Sequence, residues 1–418
     1  MFSNLPGTYD RASVLGLCHR TPAVDRMAST TVAQRGGTEQ PVGRERRVLK
    51  RVRTQTRAAA AAPTAAPSVR QEDAHKEEYV KGQTLNTWLL KQEQVGHIDS
   101  ELAIVLSSIA VACKTIAGHV HRANITGSTG AAGQGNIQGE EQKKLDVVSN
   151  ETFRETLRLS GRTAVMASEE EETPVAVEET YSGEYIAVFD PLDGSSNIDA
   201  AISTGSIFGV YKPAENCILP FESTDENEQL ESCISNVCQP GSNMLAAGYC
   251  MYSSSVEFVL TVGCGVYNFT LDPLIGEFVL TGIDIQIPTK GKTYSFNEGN
   301  YDQWPEPLQR YCDRLKNGGP DGGKPYGLRY IGSLVGDFHR TLLYGGIFGY
   351  PGDSKNPDGK LRLLYECAPM AYIAEQAKGA GTTGSQRMLD VHPDHYHERT
   401  PFYVGSAEEI AYLESHFQ

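Results

Sequence analysis

The chain has 418 residues, 39% of them hydrophobic, and a net charge of −15. This length allows two or three domains and a large buried core. The negative charge argues against nucleic acid as a partner, because surfaces that bind nucleic acid are basic. We see no run of about 18 apolar residues of the kind that spans a membrane, so we expect a soluble protein without a membrane partner.

The first 70 residues differ in charge from the rest of the chain. They hold 12 Lys and Arg residues, 11 of them Arg, against four acids, which are Asp10, Asp25, Glu39 and Glu45. An Arg-rich, acid-poor segment of this kind is typical of an organelle transit peptide. We expect residues 1–70 to be such a segment, cleaved between about 55 and 75; the alternative is a basic tail that stays attached.

Apolar spacing predicts two helices in the next part of the chain. Residues 102–120 repeat at intervals of three and four, which indicates one buried helix face, and Asp99 is a suitable N-cap. The glycine-rich stretch 127–139 predicts a mobile loop. A second helix is predicted over 147–160.

From residue 185 the pattern changes to strands. Residues 185–189 form a short apolar run that ends at Asp190, and 206–211 form another. Residues 244–281 are typical of an antiparallel meander. The stretch 213–240 fits neither helix nor strand, holds six acids and no Lys or Arg, and is interpreted as an inserted surface loop.

Beyond residue 288 the pattern predicts a mixture of helices and strands. Ser406 and Glu409 have the spacing of a capping box for a last helix. The other predicted helices are 304–316, 335–344 and 369–378, and the predicted strands are 329–331, 346–350 and 361–365.

The strongest local motif follows the strand that ends at Asp190. A tight turn brings Asp193 close to Asp190, and two neighbouring carboxylates are costly to bury unless a cation lies between them. Mg²⁺ prefers such oxygen ligands and usually binds a substrate phosphate as well. The N–H groups and hydroxyls of Gly194, Ser195 and Ser196 could hold that phosphate.

Other acids lie upstream and downstream of this motif. Residues 169–172 are four consecutive glutamates, and Glu366 follows the predicted strand 361–365. Taken alone, an acidic run is usually a solvated surface, and a pair of aspartates has many structural roles. Phosphate-ester hydrolysis would join them, because two or three metals about 4 Å apart activate a water and stabilise a leaving alkoxide.

Three motifs together resemble the fructose-1,6-bisphosphatase family within the lithium-sensitive metal phosphatases. They are DPLDGSSN at 190–197, SEEE at 168–171 and KLRLLYE at 360–366. Further similar stretches are KKLD at 143–146, YSFNEG at 294–299 and GGIFGYP at 345–351. The resemblance covers 80–418, interrupted only by the acidic stretch 213–240.

This resemblance implies a set of metal ligands and catalytic acids. Two to three Mg²⁺ ions per subunit are expected. Asp146 is the expected catalytic acid, together with Glu170 and with Glu140, which stands where the family has an aspartate. The implied metal ligands are Glu169, Glu170, Asp190, the carbonyl of Leu192, Asp193 and Glu366.

The resemblance also implies the substrate contacts. Gly194, Ser195 and Ser196 are expected to bind the 1-phosphate. The family's phosphate-binding tyrosine aligns with Asn300, so that Tyr301, one place later, is the candidate replacement. The sugar and the 6-phosphate are assigned to Asn297, Tyr330, Tyr350 and Lys360, and Arg329 is expected to reach into the neighbouring subunit's site.

The acidic stretch with Cys217, Cys233 and Cys238 resembles the redox loop of the plastid members of the family. The resemblance implies a Cys217–Cys233 disulfide, with Cys238 as the alternative partner, and activation when thioredoxin reduces it. A disulfide that closes a loop of this length would restrain an otherwise flexible insertion.

These observations predict an α/β layered sandwich with two domains, at 75–287 and 288–418. The resemblance implies a homotetramer in the chloroplast stroma that hydrolyses fructose 1,6-bisphosphate in the Calvin cycle and starch synthesis. Sedoheptulose-1,7-bisphosphatase is the alternative enzyme. A catalytically inactive regulator that binds sugar phosphates is the alternative from another class, although all five metal carboxylates argue against it.

Overall fold

The computed structural model describes residues 82–135, 141–177, 183–213 and 226–418. All of them fall within one compact unit, Ser68–Gln418. The predictions that concern residues 1–70, Glu140 and Cys217 therefore lie outside the described residues.

The helices and strands follow one another along the whole described part of the chain. The helices are α1 Leu85–Gln94, α2 Ser100–Thr126, α3 Lys144–Ser160, α4 Glu226–Val237, α5 Glu306–Lys316, α6 Leu334–Tyr344, α7 Ala368–Gln376 and α8 Ala407–Phe417. The strands are β1 Ala131–Gly135, β2 Glu141–Lys143, β3 Thr163–Ser168, β4 Val175–Ala176, β5 Tyr185–Asp193, β6 Thr204–Tyr211, β7 Ala246–Tyr252, β8 Val256–Thr261, β9 Tyr267–Asp272, β10 Glu277–Gly282, β11 Thr293–Ser295, β12 Gly327–Leu328, β13 Ile347–Tyr350, β14 Ala380–Thr382 and β15 Phe402–Gly405.

Helix α2 begins and ends as its sequence predicts. The side chain of Asp99 accepts a hydrogen bond from the N–H of Leu102 over 2.8 Å, and Gly127 ends the helix in the left-handed conformation. By length and composition α2 could cross a membrane. Leu106 and Ile109 on its apolar face are nevertheless fully buried in the core, which is the packing of a core helix.

The larger sheet has the strand order β10-β9-β8-β7-β6-β5-β3-β4. Strands β6 to β10 pair antiparallel, which confirms the predicted meander, while β3 and β5 run parallel. Every residue of β5 and β6 is buried. Burial on both faces explains why the runs 185–189 in β5 and 207–211 in β6 are continuously apolar rather than alternating.

Helices and sheets alternate as layers. Helices α1, α2 and α3 pack on one face of the larger sheet, and α6 and α7 pack on the other. Beyond α6 and α7 lies a second sheet with the order β12-β11-β13-β15-β14. Its far side packs against α5 and α8. The predicted α/β layered sandwich is therefore confirmed.

Two predicted strands in the second half of the chain are wrong. The strand near 329–331 is instead Gly327–Leu328, because the carboxylate of Asp337 accepts the N–H groups of Ile331 and Gly332 and withdraws them from the sheet. In place of the predicted strand 361–365, the structure has a π-helical turn, Leu363–Cys367. Such single turns occur often at functional sites.

Three further local predictions differ from the structure. Residues 131–135 of the predicted mobile loop pair with β2 as strand β1. The described part of the predicted surface loop 213–240 forms helix α4, where Cys233 and Val237 are buried. Ser406 does not form a capping box, because its hydroxyl donates to the carbonyl of Pro288 and accepts from the N–H of Gly346.

The packing of α3 on β5 gives a stability prediction. Phe153 on α3 is fully buried and stacks on Phe189 of β5, with ring centroids 4.8 Å apart. Phe153→Ala should lower the free energy of unfolding by about 3–5 kcal/mol in urea denaturation. Leu159→Ala, on the same helix but 68% exposed, should change it by less than about 0.5 kcal/mol. Equal effects of the two substitutions would contradict this packing.

Candidate active site

The site begins where two parallel strands end side by side. Ser168 of β3 pairs with Phe189 of β5, and the N–H of Glu169 donates to the carbonyl of Phe189 over 3.2 Å. The carboxyl ends of parallel strands lie at the same edge of a sheet. Glu169 and Glu170 therefore follow one strand at the level where Asp190 lies on the other.

A β-bulge turns Asp190 and Asp193 to the same side of the sheet. Three residue steps along a regular strand would place two side chains on opposite faces. Here Asp190 pairs with Ile207 and Asp193 pairs with Gly205, so that one extra residue is accommodated in β5. This is a common device for redirecting side chains next to active sites.

Backbone groups hold both aspartates. The N–H of Leu192 donates to Oδ1 of Asp190 over 2.9 Å. Oδ2 of Asp193 accepts from the N–H of Val335 over 3.1 Å and from the hydroxyl of Ser333 over 3.3 Å. Because Ser333 is the N-cap of α6, Asp193 lies at the positive end of a helix dipole.

Glu366 completes an acidic cluster from the other side. It lies on the π-helical turn, and its Oε2 accepts the N–H of Arg362 over 2.6 Å. One carboxylate oxygen from each of Asp190, Asp193 and Glu366 lies within 4.8 Å of the others, and all three residues are buried. A buried group of three carboxylates with this spacing could hold a metal ion.

Burial and mutual repulsion disfavour the charged form of these acids. Burial, followed by the charges of Glu169, Asp193 and Glu366, raises the pKa of Asp190 well above its ordinary value. The pKa of Glu366 is raised by burial and by Glu169 and Asp193. Burial raises the pKa of Asp193 to about 6, although the N–H of Val335 and the hydroxyl of Ser333 oppose the shift. A bound cation would relieve this repulsion.

A cavity of about 400 Å³ opens onto the acidic cluster. It gathers the sequence-predicted metal residues and the predicted phosphate-binding turn in one place. Its lining residues are Gln142, Lys143, Asp146, Glu169, Glu170, Asp190, Leu192, Asp193, Gly194, Ser195, Ser196 and Glu366.

Asp146 enters the cavity from the first turn of α3. Its Oδ2 accepts the N–H of Lys143 over 2.7 Å. Burial raises its pKa to about 6, close to the range in which a carboxyl group can exchange protons at neutral pH. Gln142, which the sequence analysis missed, donates from Nε2 to Oε2 of Glu170 over 2.7 Å.

The turn after Asp193 requires glycine. Gly194 has a φ of +72°, and a Cβ there would lie 3.3 Å from Nδ2 of Asn197 and 3.4 Å from Cβ of Ser333. Glycine adopts this left-handed conformation without strain. It allows Ser195 and Ser196 to begin a short 3₁₀ helix, Ser195–Ala200, directly beside the carboxylates.

The predicted sugar-phosphate residues lie on the second half of the chain. Tyr330 and Tyr350 are half-buried and pack against the same core cluster. Burial raises the pKa of Tyr330, and the charges of Tyr350, Asp337 and Asp193 raise it further. Arg329 and Lys360 are exposed.

Asn297 and Tyr301 are engaged by their own part of the chain. The side chain of Asn297 accepts the N–H of Gly299 over 3.3 Å and caps the 3₁₀ helix Glu298–Gln303. The hydroxyl of Tyr301 donates to Asp313 over 2.9 Å, and Lys316 lies over its ring. In the described part of the chain, neither residue lines the 400 Å³ cavity.

Two of the three predicted redox cysteines are described. Cys233 is buried and Cys238 is half-buried, and neither forms a disulfide within the described ranges. Burial raises the pKa of each thiol to about 11. Both are therefore protonated thiols at neutral pH rather than reactive thiolates.

Comparison with known families matches almost all of the described chain. The model for the fructose-1,6-bisphosphatase N-terminal domain matches residues 83–282, and the model for the C-terminal domain matches residues 287–418. The chain belongs to the fructose-1,6-bisphosphatase family.

Individual relatives agree with this membership. The chloroplastic fructose-1,6-bisphosphatase of Triticum aestivum is 66% identical over 332 residues, which cover 79% of this chain and 80% of the relative. The chloroplastic fructose-1,6-bisphosphatase 1 of Arabidopsis thaliana is 62% identical over 347 residues, 82% of each chain. The crystal structure of Leishmania major fructose-1,6-bisphosphatase in holo form superposes with a TM-score of 0.75 at 41% identity, covering 81% of this chain and 99% of that one.

These relatives bear on two of the sequence predictions. Membership of the family, with relatives of this similarity, confirms the prediction of a fructose-bisphosphatase enzyme. The chloroplastic relatives confirm the predicted chloroplast location. The acidic cluster could hold a metal ion, as the resemblance led us to expect.

The raised pKa values predict that the acidic cluster destabilises the folded state by an amount that depends on pH. Asp193 has a pKa of about 6 in the folded protein, against an ordinary value of 3.8. The folded state therefore binds more protons than the unfolded state between these values, so that raising the pH through this window favours unfolding. In EDTA, Asp193→Asn should match wild type in stability near pH 4 and exceed it by on the order of 3 kcal/mol at pH 7.5.

Urea denaturation at both pH values, with chelator present, measures this difference. Asp302→Asn, at an exposed carboxyl outside the cavity, is the matched control and should show no such pH-dependent gain. A constant difference between wild type and Asp193→Asn across the pH range would contradict the raised pKa.

Proposed function

We propose that this chain hydrolyses the 1-phosphate of fructose 1,6-bisphosphate to give fructose 6-phosphate and phosphate, with Mg²⁺ as the metal. We place the reaction in the chloroplast stroma, in the Calvin cycle and starch synthesis, and we propose that thioredoxin reduction activates it. The relatives' names support the substrate.

The observation that carries the proposal is the convergence of Asp190, Asp193 and Glu366 beside the turn at Gly194. All three carboxylates are buried, and their oxygens lie within 4.8 Å of one another. Ser195 and Ser196 line the same cavity. Carboxylate oxygens suit Mg²⁺, which usually keeps part of its coordination for substrate phosphate.

The proposed metal ligands are Glu169, Glu170, Asp190, the Leu192 carbonyl, Asp193 and Glu366, holding two to three Mg²⁺ ions. When bound, the metal supplies Lewis acidity toward the phosphate and toward the leaving sugar oxygen. A carboxylate set without His or Cys favours Mg²⁺ over softer metals. The repulsion within the acidic cluster also supports a cation, since burial of several like charges otherwise raises their pKa values.

The chain's own residues position the water and the two ends of the sugar. Asp146 and Glu170 line the cavity together, and we assign them to orient the attacking water and to accept its proton. Water adds to phosphorus as the bond from phosphorus to the sugar oxygen breaks, and the leaving oxygen takes up a proton. Glu140, outside the described residues, is kept as a proposed third acid.

The second half of the chain is proposed to bind the rest of the substrate. The 1-phosphate is assigned to Gly194, Ser195 and Ser196, and the division into domains at 75–287 and 288–418 puts the sugar contacts on the second domain. Cationic and neutral donors suit a phosphate dianion. The residues assigned to the sugar and the 6-phosphate are Asn297, Tyr301, Tyr330, Tyr350 and Lys360, with Arg329 reaching the neighbouring subunit of a homotetramer.

The redox proposal is supported by the packing of α4. Cys233 and Val237 on this helix share one core cluster with Val188 of β5 and Ala167 of β3. Those strands lead directly to Asp190 and to Glu169. A disulfide from Cys233 or Cys238 to Cys217 would therefore restrain a helix that packs on the strands of the metal site.

Phosphate release tests the substrate and the metal site together. At fixed Mg²⁺ and with reduced thioredoxin, the chain without residues 1–70 should release phosphate faster from fructose 1,6-bisphosphate than from sedoheptulose 1,7-bisphosphate. Asp190→Asn should lower kcat on the order of a thousandfold, because several kcal/mol of metal-dependent stabilisation are lost.

The Asp302→Asn control should keep wild-type kcat. Faster hydrolysis of the seven-carbon sugar would retain the metal site and overturn the proposed substrate. An Asp190→Asn protein with near-normal kcat would overturn the metal assignment, and a wild type inactive on both sugars would favour the regulator that only binds sugar phosphates.

Replacement of a loop cysteine tests the redox proposal. Cys217→Ser should be active without reductant, at about the level of reduced wild type, because the restraining disulfide is not formed. Activity is measured after oxidation, with and without reduced thioredoxin. Cys264→Ser, at a partly exposed cysteine outside the loop, should stay dependent on reduction. If Cys217→Ser still needs reductant, Cys217 is not in the regulatory disulfide.

A further inference from the structure

The loop at residues 329–333, between β12 and α6, contacts both sides of the proposed active site. It begins with Arg329 and Tyr330, which we assign to sugar and phosphate binding. It ends at Ser333, whose hydroxyl donates to Asp193 of the acidic cluster. Between them, the carbonyl of Gly332 accepts from Nδ2 of Asn197 over 2.9 Å. The conformation of this loop therefore sets the distance between the acidic cluster and the residues Arg329 and Tyr330, which we assign to sugar and phosphate binding.

A buried carboxylate on α6 holds the loop from behind. Asp337 is fully buried. Its two oxygens accept the N–H of Ile331 over 3.0 and 3.1 Å, and Oδ2 also accepts the N–H of Gly332 over 3.1 Å. Charge-assisted hydrogen bonds of this kind are stronger than those between neutral groups. They fix the loop in a conformation that does not continue β12.

Arg340 lies one turn further along α6 and pairs with the carboxylate of Asp337. It also contacts β11 and the beginning of the loop 329–333. Its Nη2 lies 2.6 Å from Oδ1 of Asp337 and donates to the carbonyl of Arg329 over 2.9 Å. The same nitrogen donates to Oγ of Ser295 over 2.6 Å. Ser295 ends β11, two residues before Asn297. The Arg340 guanidinium therefore connects two of the segments that carry the proposed sugar-phosphate residues, the one with Asn297 and the one with Arg329 and Tyr330.

We propose that Asp337 and Arg340 are positioning residues that set the affinity for the sugar-phosphate end of the substrate while leaving metal binding to the acidic cluster. This inference rests on the proposed function, because it takes Asn297, Arg329 and Tyr330 as substrate contacts. Neither Asp337 nor Arg340 lines the 400 Å³ cavity of the described chain. They act through the segments they hold, not through contact with the reacting phosphate.

The test separates sugar binding from metal binding in the full chain. Arg340→Met keeps an unbranched side chain but removes the donors to Ser295 and to the carbonyl of Arg329. It should raise KM for fructose 1,6-bisphosphate and the Kd for fructose 6-phosphate, measured by calorimetry, about tenfold. The Kd for Mn²⁺, used as a spectroscopic probe of the acidic cluster, should change less than twofold.

Three companion variants make the result decisive. Arg340→Lys retains a cation beside Asp337 and should recover most of the fructose 6-phosphate affinity. Asp337→Asn, which keeps the size of the side chain, should weaken fructose 6-phosphate binding in the same direction if Arg340→Met does not fold. Arg158→Met removes another arginine paired with an acid three residues earlier, Glu155, on the exposed face of α3, and should behave as wild type.

The outcomes distinguish this inference from the proposed function. If wild type neither hydrolyses fructose 1,6-bisphosphate nor binds fructose 6-phosphate, the proposed function fails. If wild type does both and the variants at 337 and 340 keep its KM and Kd, the positioning role fails. Equal losses of fructose 6-phosphate and Mn²⁺ affinity would also overturn it, because a merely structural pair would weaken both sides together.

Discussion

The architecture depends on keeping several carboxylates close together in a buried place. Asp190, Asp193 and Glu366 come from two separate parts of the chain, and their oxygens lie within 4.8 Å of one another. Burial and mutual repulsion raise their pKa values, so the cluster opposes folding unless a proton or a cation reduces its charge. The packing of the surrounding layers of helices and sheets offsets this unfavourable contribution to the free energy of folding.

Backbone geometry, more than side-chain pairing, holds the acids in place. A bulge in β5 turns Asp190 and Asp193 to one side. The beginning of α6 donates to Asp193, and the π-helical turn brings the N–H of Arg362 onto Glu366. Backbone donors stabilise a carboxylate without the positive side chains that would compete with a metal. The same α6 also holds the loop 329–333 through Asp337, which links the acidic cluster to the proposed sugar contacts.

Much of the fold could be predicted because local signals and packing agree. Helix α2 has its N-cap and its repeating apolar face, and β7 to β10 have the pattern of a meander. Predictions failed where hydrogen bonds to other elements occupied the local donors and acceptors. Residues 329–331 were predicted as a strand, but Asp337 accepts the N–H groups of Ile331 and of Gly332, the residue that follows. The hydroxyl of Ser406 bonds to Pro288 and Gly346 rather than capping its own helix.

The sequence alone determined the residue types of the site and their order along the chain, since the acids, the Gly194 turn and the family resemblance are all visible in it. Only the tertiary structure decided how these acids are brought together. The spacing from Asp190 to Asp193 would place them on opposite faces of a regular strand, and the bulge reverses this. Local sequence patterns do not indicate the roles of Gln142, Ser333 and Asp337. Each of these side chains forms a hydrogen bond with another segment of the chain, and the packing of the layers determines which segments lie within reach.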